Sequence, residues 1–99
     1  MLNIAKYRDG RNMKIKLEGR FDTATAPQLE TIVRNELDGV ETLTFDFEKL
    51  EYISSAGLRV LLAAQKIMNK QGKMVVKNVS DEVKEIFEVT GFTDILTLE

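Results

Sequence analysis

The sequence has no cysteine, no histidine and no tryptophan. Without cysteine there is no disulfide, no thiolate zinc site and no thiol nucleophile. Without histidine the chain lacks the commonest metal ligand and the side chain most often used as a general base near neutral pH. Most hydrolase and metalloenzyme chemistry goes with them, and no metal or cofactor is expected. Proline occurs once, at Pro27, and aromatic residues make up only 7%. No apolar run approaches the roughly 20 residues of a bilayer-spanning helix. The start, Met1-Leu2-Asn3-Ile4-Ala5-Lys6, lacks the long apolar core of a secretory signal. A cytoplasmic location and no membrane partner are the expectations.

What remains is ordinary for one globular domain spanning residues 1–99. The 99 residues are 43% hydrophobic and 30% charged, and domains commonly hold about 100–150 residues. Fourteen basic and 16 acidic residues are interspersed, for a net charge of −2. With no basic block there is no electrostatic footprint for nucleic acid, so no direct contact with it is expected.

Hydrophobic periodicity gives an element order. Met13, Ile15 and Leu17 alternate with Lys14, Lys16 and Glu18, the period-2 signature of a half-buried strand. Leu2 to Tyr7 is a weaker strand before it, and Asp9-Gly10 between them is a hairpin turn signal. Residues 19–25 read as a loop. Thr25-Ala26-Pro27-Gln28 fits a capping box with proline in the first turn, and Leu29, Ile32, Val33 and Leu37 follow at helical spacing up to Gly39. Leu43 to Phe47 alternates as a strand, and 48–51 reads as the loop after it. A second helix runs from about Ser55 to Gln71, stopped by Gly72. Lys73 to Val79 is a third apolar strand. Ser80-Asp81-Glu82 opens a last helix with acids where the dipole favours them. Gly91 closes it with Phe92 set to meet Phe87, and residues 95–98 can add a short strand.

Strand–helix alternation after a hairpin means α/β, with a mixed, mostly parallel sheet led by an antiparallel pair. The strands show one apolar and one polar face, so the helices are expected largely on one side.

The stretch Tyr52-Ile53-Ser54-Ser55-Ala56-Gly57-Leu58 carries the most information. It sets two serines at a helix start. A serine there commonly caps the helix, at about 1 kcal/mol, and the same position tolerates a phosphate because the dipole favours anions. In its context the stretch resembles the loop of the STAS domains, and among them the stand-alone anti-sigma factor antagonists. Gly19-Arg20-Phe21-Asp22, Phe45-Asp46-Phe47, Gly72-Lys73-Met74 and Val89-Thr90-Gly91-Phe92 are similar to further family motifs, in family order along nearly the whole chain.

The resemblance implies a switch protein rather than an enzyme. In that family the unmodified antagonist binds an anti-sigma factor with serine kinase activity and so releases a sigma factor. Phosphorylation of the loop serine ends the complex, and a serine phosphatase restores it. By position that serine is Ser55, with Ser54 as the alternative, because Ser54 stands where many antagonists carry Asp. The candidate partner-binding residues are Asp22, Ser54, Ala56, Gly57, Leu58 and Leu62. A STAS accessory module of a transport or ligand-sensing complex is the other family reading.

Counting about 100° per residue, Val60, Leu61, Ala63, Ala64, Ile67 and Met68 share one arc of the second helix. Leu58 and Leu62 fall outside it with Gln65 and Asn69. They either meet a neighbouring helix or form an apolar strip beside Ser55 for a partner. Asp22 reads as a turn or capping residue and Asp46 as solvated; both are also candidates for contacting the partner or positioning the hydroxyl. A Ser55 nucleophile is disfavoured, since Leu58 occupies the lysine position of a Ser-x-x-Lys spacing.

Overall fold

The computed structural model describes residues 2–99. Strands β1 (Leu2–Asp9) and β2 (Asn12–Phe21) form the antiparallel hairpin. Its turn places Gly10 at φ 62°, a left-handed conformation that glycine adopts without steric cost. Helix α1 (Ala26–Glu36) leads to β3 (Thr42–Ile53), and α2 (Ser55–Gln71) leads to β4 (Lys73–Lys77). Helix α3 (Asp81–Thr90) and a 3-10 turn at Phe92–Asp94 complete the chain. The sheet order is β1-β2-β3-β4, with β2–β3 and β3–β4 parallel. This is the mixed α/β architecture expected from the patterning.

One face of the sheet is dry. Met13, Ile15 and Leu17 of β2 and Leu43, Phe45 and Phe47 of β3 are buried, and Phe47 meets Phe87 of α3 at 6.4 Å between ring centroids. The intervening Lys14, Lys16 and Glu18 are exposed. The helices therefore cover the apolar face and leave the polar one open. Each fully buried side chain of this size contributes about 1.5–3 kcal/mol, so the sheet's sidedness is the main thermodynamic reason for the layering.

The structure corrects several local expectations. Gly19 to Phe21 is the end of β2, not a loop. Residues 48–51 likewise continue β3, which runs to Ile53. The pairing of β2 with β3 slips twice, between Lys16 and Glu18 and between Gly19 and Arg20, each time giving β3 one extra residue. These two bulges change the spacing of buried residues from two to three, so that Phe47, Leu50 and Ile53 all face inward. A strand with period-3 burial does not look like a strand in sequence. β4 ends at Lys77, and Asn78 takes φ 59°. The final strand reduces to one bridge between Val76 and Leu98. The start and stop of α3 agree with the sequence. Ser80 accepts from the Val83 amide, Gly91 is left-handed at φ 81°, and Phe92 stacks on Phe87.

Two glycines hold their positions for different reasons. A Cβ on Gly72 would collide with the backbone of Glu41, whose carbonyl accepts from the Lys73 amide at 2.9 Å. Its φ of 174° is ordinary extended backbone, so clearance alone demands glycine. Around Gly10, by contrast, nothing lies within 4 Å of where a Cβ would sit, and only its backbone conformation favours glycine. Gly72→Ala is therefore expected to destabilise the fold by about 1–3 kcal/mol or more through overpacking, while Gly10→Ala costs about 1–2 kcal/mol for its backbone conformation. Urea unfolding of both variants at constant m-value checks the order.

Candidate functional site

β2 and β3 end side by side. Phe21 lies opposite Ile53, and the Ser54 amide donates to the Phe21 carbonyl at 2.9 Å. Both chains then leave the same end of the sheet and enter helices, β2 through residues 22–25 into α1 and β3 through Ser54 into α2. Two helix starts are thus held by one pair of strand ends.

The two serines have different duties. Ser54 is the N-cap of α2; its hydroxyl accepts from the Gly57 amide at 3.4 Å and its carbonyl accepts from the Leu58 amide at 2.9 Å. It is half-buried. Ser55 is the first residue of the helix and is exposed. The capping oxygen and the accessible oxygen therefore belong to different residues.

Gly57 sets how close the helix comes to the sheet. A Cβ there would meet Ile53 Cγ1 at 2.9 Å, the Phe21 carbonyl at 3.0 Å and the Phe21 ring at 3.1 Å. The first turn of α2 lies directly on the strand ends that support it. Leu58 is only 6% exposed, so the expected exposed apolar strip does not include it; its side chain belongs to the core. Leu62 is half-buried, Ala56 is half-buried and Gly57 is buried. The buried arc of α2 runs through Gly57, Leu58, Val60, Leu61, Ala64, Gln65 and Met68, rotated by roughly 60° from the arc predicted at 100° per residue. Ala63 faces solvent and Gln65 is buried instead. The helix is oriented by its seat on the sheet rather than by its most apolar face.

Asp22 organises the other loop. Its Oδ1 accepts from the amides of Ala24 and Thr25, both at 3.1 Å. The Asp22 amide donates to Thr25 Oγ1 at 2.8 Å, and that hydroxyl donates to the Arg20 carbonyl at 2.8 Å. Thr25 makes no side-chain cap to α1, so the expected capping box is replaced by this Asp22–Thr25 turn. Burial acts to raise the Asp22 pKa, but the bonds from the Thr25 amide and hydroxyl and from the Ala24 amide outweigh it. With the Arg20 guanidinium nearby, they hold the carboxyl below its usual 3.8. The Arg20 guanidinium lies 4.5 Å over the Tyr52 ring and 3.7 Å from Asp22 Oδ2, tying the two loops' approaches together. Sequence reasoning missed this stack, because the bulges that bring Arg20 opposite Tyr52 leave no local signal.

Asp46 is not part of this site. It lies on the open face of the sheet, seven residues before Ile53, or about 23 Å of strand. Its Oδ1 accepts from the Glu48 amide at 3.0 Å and from Asn78 Nδ2 at 3.1 Å. Burial acts to raise its pKa; the bonds from Asn78 and Glu48, with Lys14 and Lys16, lower it overall. It fastens β3 to the left-handed Asn78.

Among the described residues no group of three or more acidic side chains is placed to hold a metal ion, and no helix is long and apolar enough to cross a membrane. The exposed hydroxyl of Ser55 has the start of α2 beneath it, an arrangement that accommodates a negative charge.

Comparison with known proteins gives a consistent result. The model of the STAS domain matches residues 3–99. A protein of Bordetella bronchiseptica provisionally named anti-sigma factor antagonist BtrV is 41% identical over 81 residues, covering 80% of this chain and 70% of that one. The anti-sigma-B factor antagonist of Staphylococcus aureus is 29% identical over 97 residues, covering 96% and 90%. In structure, the phosphorylated form of the Bacillus cell fate determinant SpoIIAA superimposes with a TM-score of 0.75 at 18% identity, covering all of this chain and 91% of that one.

The lowered pKa of Asp22 has a signed consequence. A carboxyl with a folded pKa below its unfolded value stabilises the fold above the unfolded value, and that contribution disappears as pH falls through the folded one. Asp22→Asn is therefore expected to melt below wild type at neutral pH, with the gap closing as the pH is taken below about 3.8. Thermal unfolding followed by circular dichroism from pH 7 to pH 2 checks the convergence.

Proposed function

The chain belongs to the STAS domain family, and we propose that within it the protein acts as an anti-sigma factor antagonist switched by phosphorylation of Ser55. Unmodified, it docks on an anti-sigma factor with serine kinase activity and thereby frees a sigma factor. The kinase transfers a phosphate to Ser55 and the complex dissociates; a serine phosphatase returns the protein to its docking form. It has no catalytic role of its own and works where sigma factors work, in the cytoplasm.

The observation that carries this reading is the division of labour at the start of α2. Ser54 caps the helix and Ser55 stands exposed beside it. A kinase can therefore take Ser55 without undoing the cap. The names of the relatives, anti-sigma factor antagonists in two organisms, support the partner class. On this reading Asp22, Ser54, Ala56 and Leu62 supply the docking rim, while Gly57 and Leu58 act from beneath by fixing the helix on the sheet.

The physical basis of the switch is charge in a closed interface. A neutral serine fits between two proteins at little cost. A phosphate adds about −1.5 to −2 charges at pH 7. At the start of α2 that charge is tolerated by the free protein. In the complex it must be desolvated, and leaving a buried charge unpaired costs several kcal/mol, about a thousandfold in affinity. The switch acts on docking and needs no refolding.

Two serine variants separate these duties. Ser55→Ala is expected to bind the anti-sigma factor as wild type does, to resist ATP-driven release and to keep its stability. Ser54→Ala should instead cost about 0.5–2 kcal/mol through the lost cap while still accepting phosphate at residue 55. Peptide mapping after incubation with the kinase and ATP, together with calorimetric titration, reads all of these. Phosphate on Ser54, or a Ser55→Ala variant still released by ATP, defeats the assignment. Ser55→Asp should fold normally and bind at least about tenfold more weakly; a fold lost in that variant would place the switch in stability instead.

A further inference from the structure

Charge is distributed unevenly between the helices. α2 carries Arg59, Lys66 and Lys70 and no acidic residue in 17 positions. α3 carries Asp81, Glu82, Glu85 and Glu88 against Lys84. A chain with net charge −2 therefore presents one helix at +3 and another at −3. The three cations of α2 are exposed. Six of the eleven cations outside α2 meet carboxylates, among them Lys6 with Glu36 at 2.8 Å, Arg11 with Glu41 at 2.6 Å and Arg34 with Glu30 at 3.4 Å within α1. Among the described residues none of the α2 cations forms such an ion pair. A helix face that serves only solvation normally mixes signs at i and i+4, as α1 does.

Ser55, Arg59, Leu62 and Lys66 follow one another at steps of four, three and four residues, so they form one stripe along the helix. Lys70 continues it. The stripe starts at the switch serine, has a half-buried leucine in its middle and exposed Ala63 alongside, and all its charges are basic. Resting on the antagonist reading above, we infer that this face of α2 is the docking surface for an acidic patch of the partner protein. Arg59 lies next to the modified residue, and Lys66 and Lys70 extend the contact away from it. The pairing also sharpens the switch. A phosphate of about −1.5 to −2 cancels half or more of the stripe's charge and faces the partner's carboxylates directly.

The test uses full-length protein, unphosphorylated, and the purified anti-sigma factor. Lys66→Glu and Lys70→Glu are remote from Ser55, and Lys84→Glu on α3 is the control. Each α2 reversal is expected to weaken binding about tenfold and to flatten its salt dependence between about 0.05 and 0.3 M, with the control near wild type. Circular dichroism should show all three folded. Binding by Lys66→Glu and Lys70→Glu equal to wild type at both salt concentrations overturns the inference while leaving the antagonist reading intact. Failure of wild type itself to bind overturns both. A wild-type dimer in sedimentation that Lys66→Glu converts to monomer also overturns it, by assigning the stripe to the acidic α3 of a second copy.

Discussion

The seating of α2 on the ends of β2 and β3 is the constraint on which the rest depends. Gly57 leaves no space for even one methyl between helix and strands, with Ile53, the Phe21 carbonyl and the Phe21 ring all within about 3 Å of where it would sit. That closeness directs Leu58 and Leu61 into the core and lets the Ser54 amide reach the Phe21 carbonyl. Ser55 is exposed as a consequence. At the far end of the same helix, Gln71 Nε2 donates to the carbonyls of Leu37 and Val40, and Gly72 passes against Glu41. α2 is thus fixed at both ends by close backbone approaches, and its outer face is free to carry function.

A rigid seat suits a switch that works by charge. If α2 moved when modified, the free energy of the phosphate would be divided between moving the helix and weakening the interface. In the proposed switch, with the helix fixed and capped by Ser54, a phosphate on Ser55 would act almost wholly on what touches the surface. The Asp22–Thr25 turn and the Arg20–Tyr52 stack hold the neighbouring loop in the same way.

The open face of the sheet has a separate logic. Lys14, Lys16 and Glu18 keep it wet, and Asp46 uses that polarity to hold Asn78 in its left-handed turn after β4. A sheet covered on both faces would have no place for such a residue. Asp46 therefore serves the fold, and the proximity in sequence order between its strand and Ser55 does not bring it to the site.

Periodicity and composition by themselves determined the layered α/β architecture, the hairpin, the limits of α2 at Ser55 and Gly72, and both caps of α3. These depend on neighbours within a few residues or on one-sided burial, and such signals are written locally. The resemblance of Ser54-Ser55-Ala56-Gly57-Leu58 to the STAS loop pointed to the proposed site. What only the tertiary structure decided involves contacts between distant segments. The two bulges that carry β3 on to Ile53 arise from its register against β2. The rotation of α2 that buries Leu58 and Gln65 and exposes Ala63 arises from the clearance at Gly57. The choice between Ser54 as cap and Ser55 as free hydroxyl follows from where the strand ends. Local sequence cannot specify these, because each is settled by how closely two backbones approach, and that distance is a property of the packed whole.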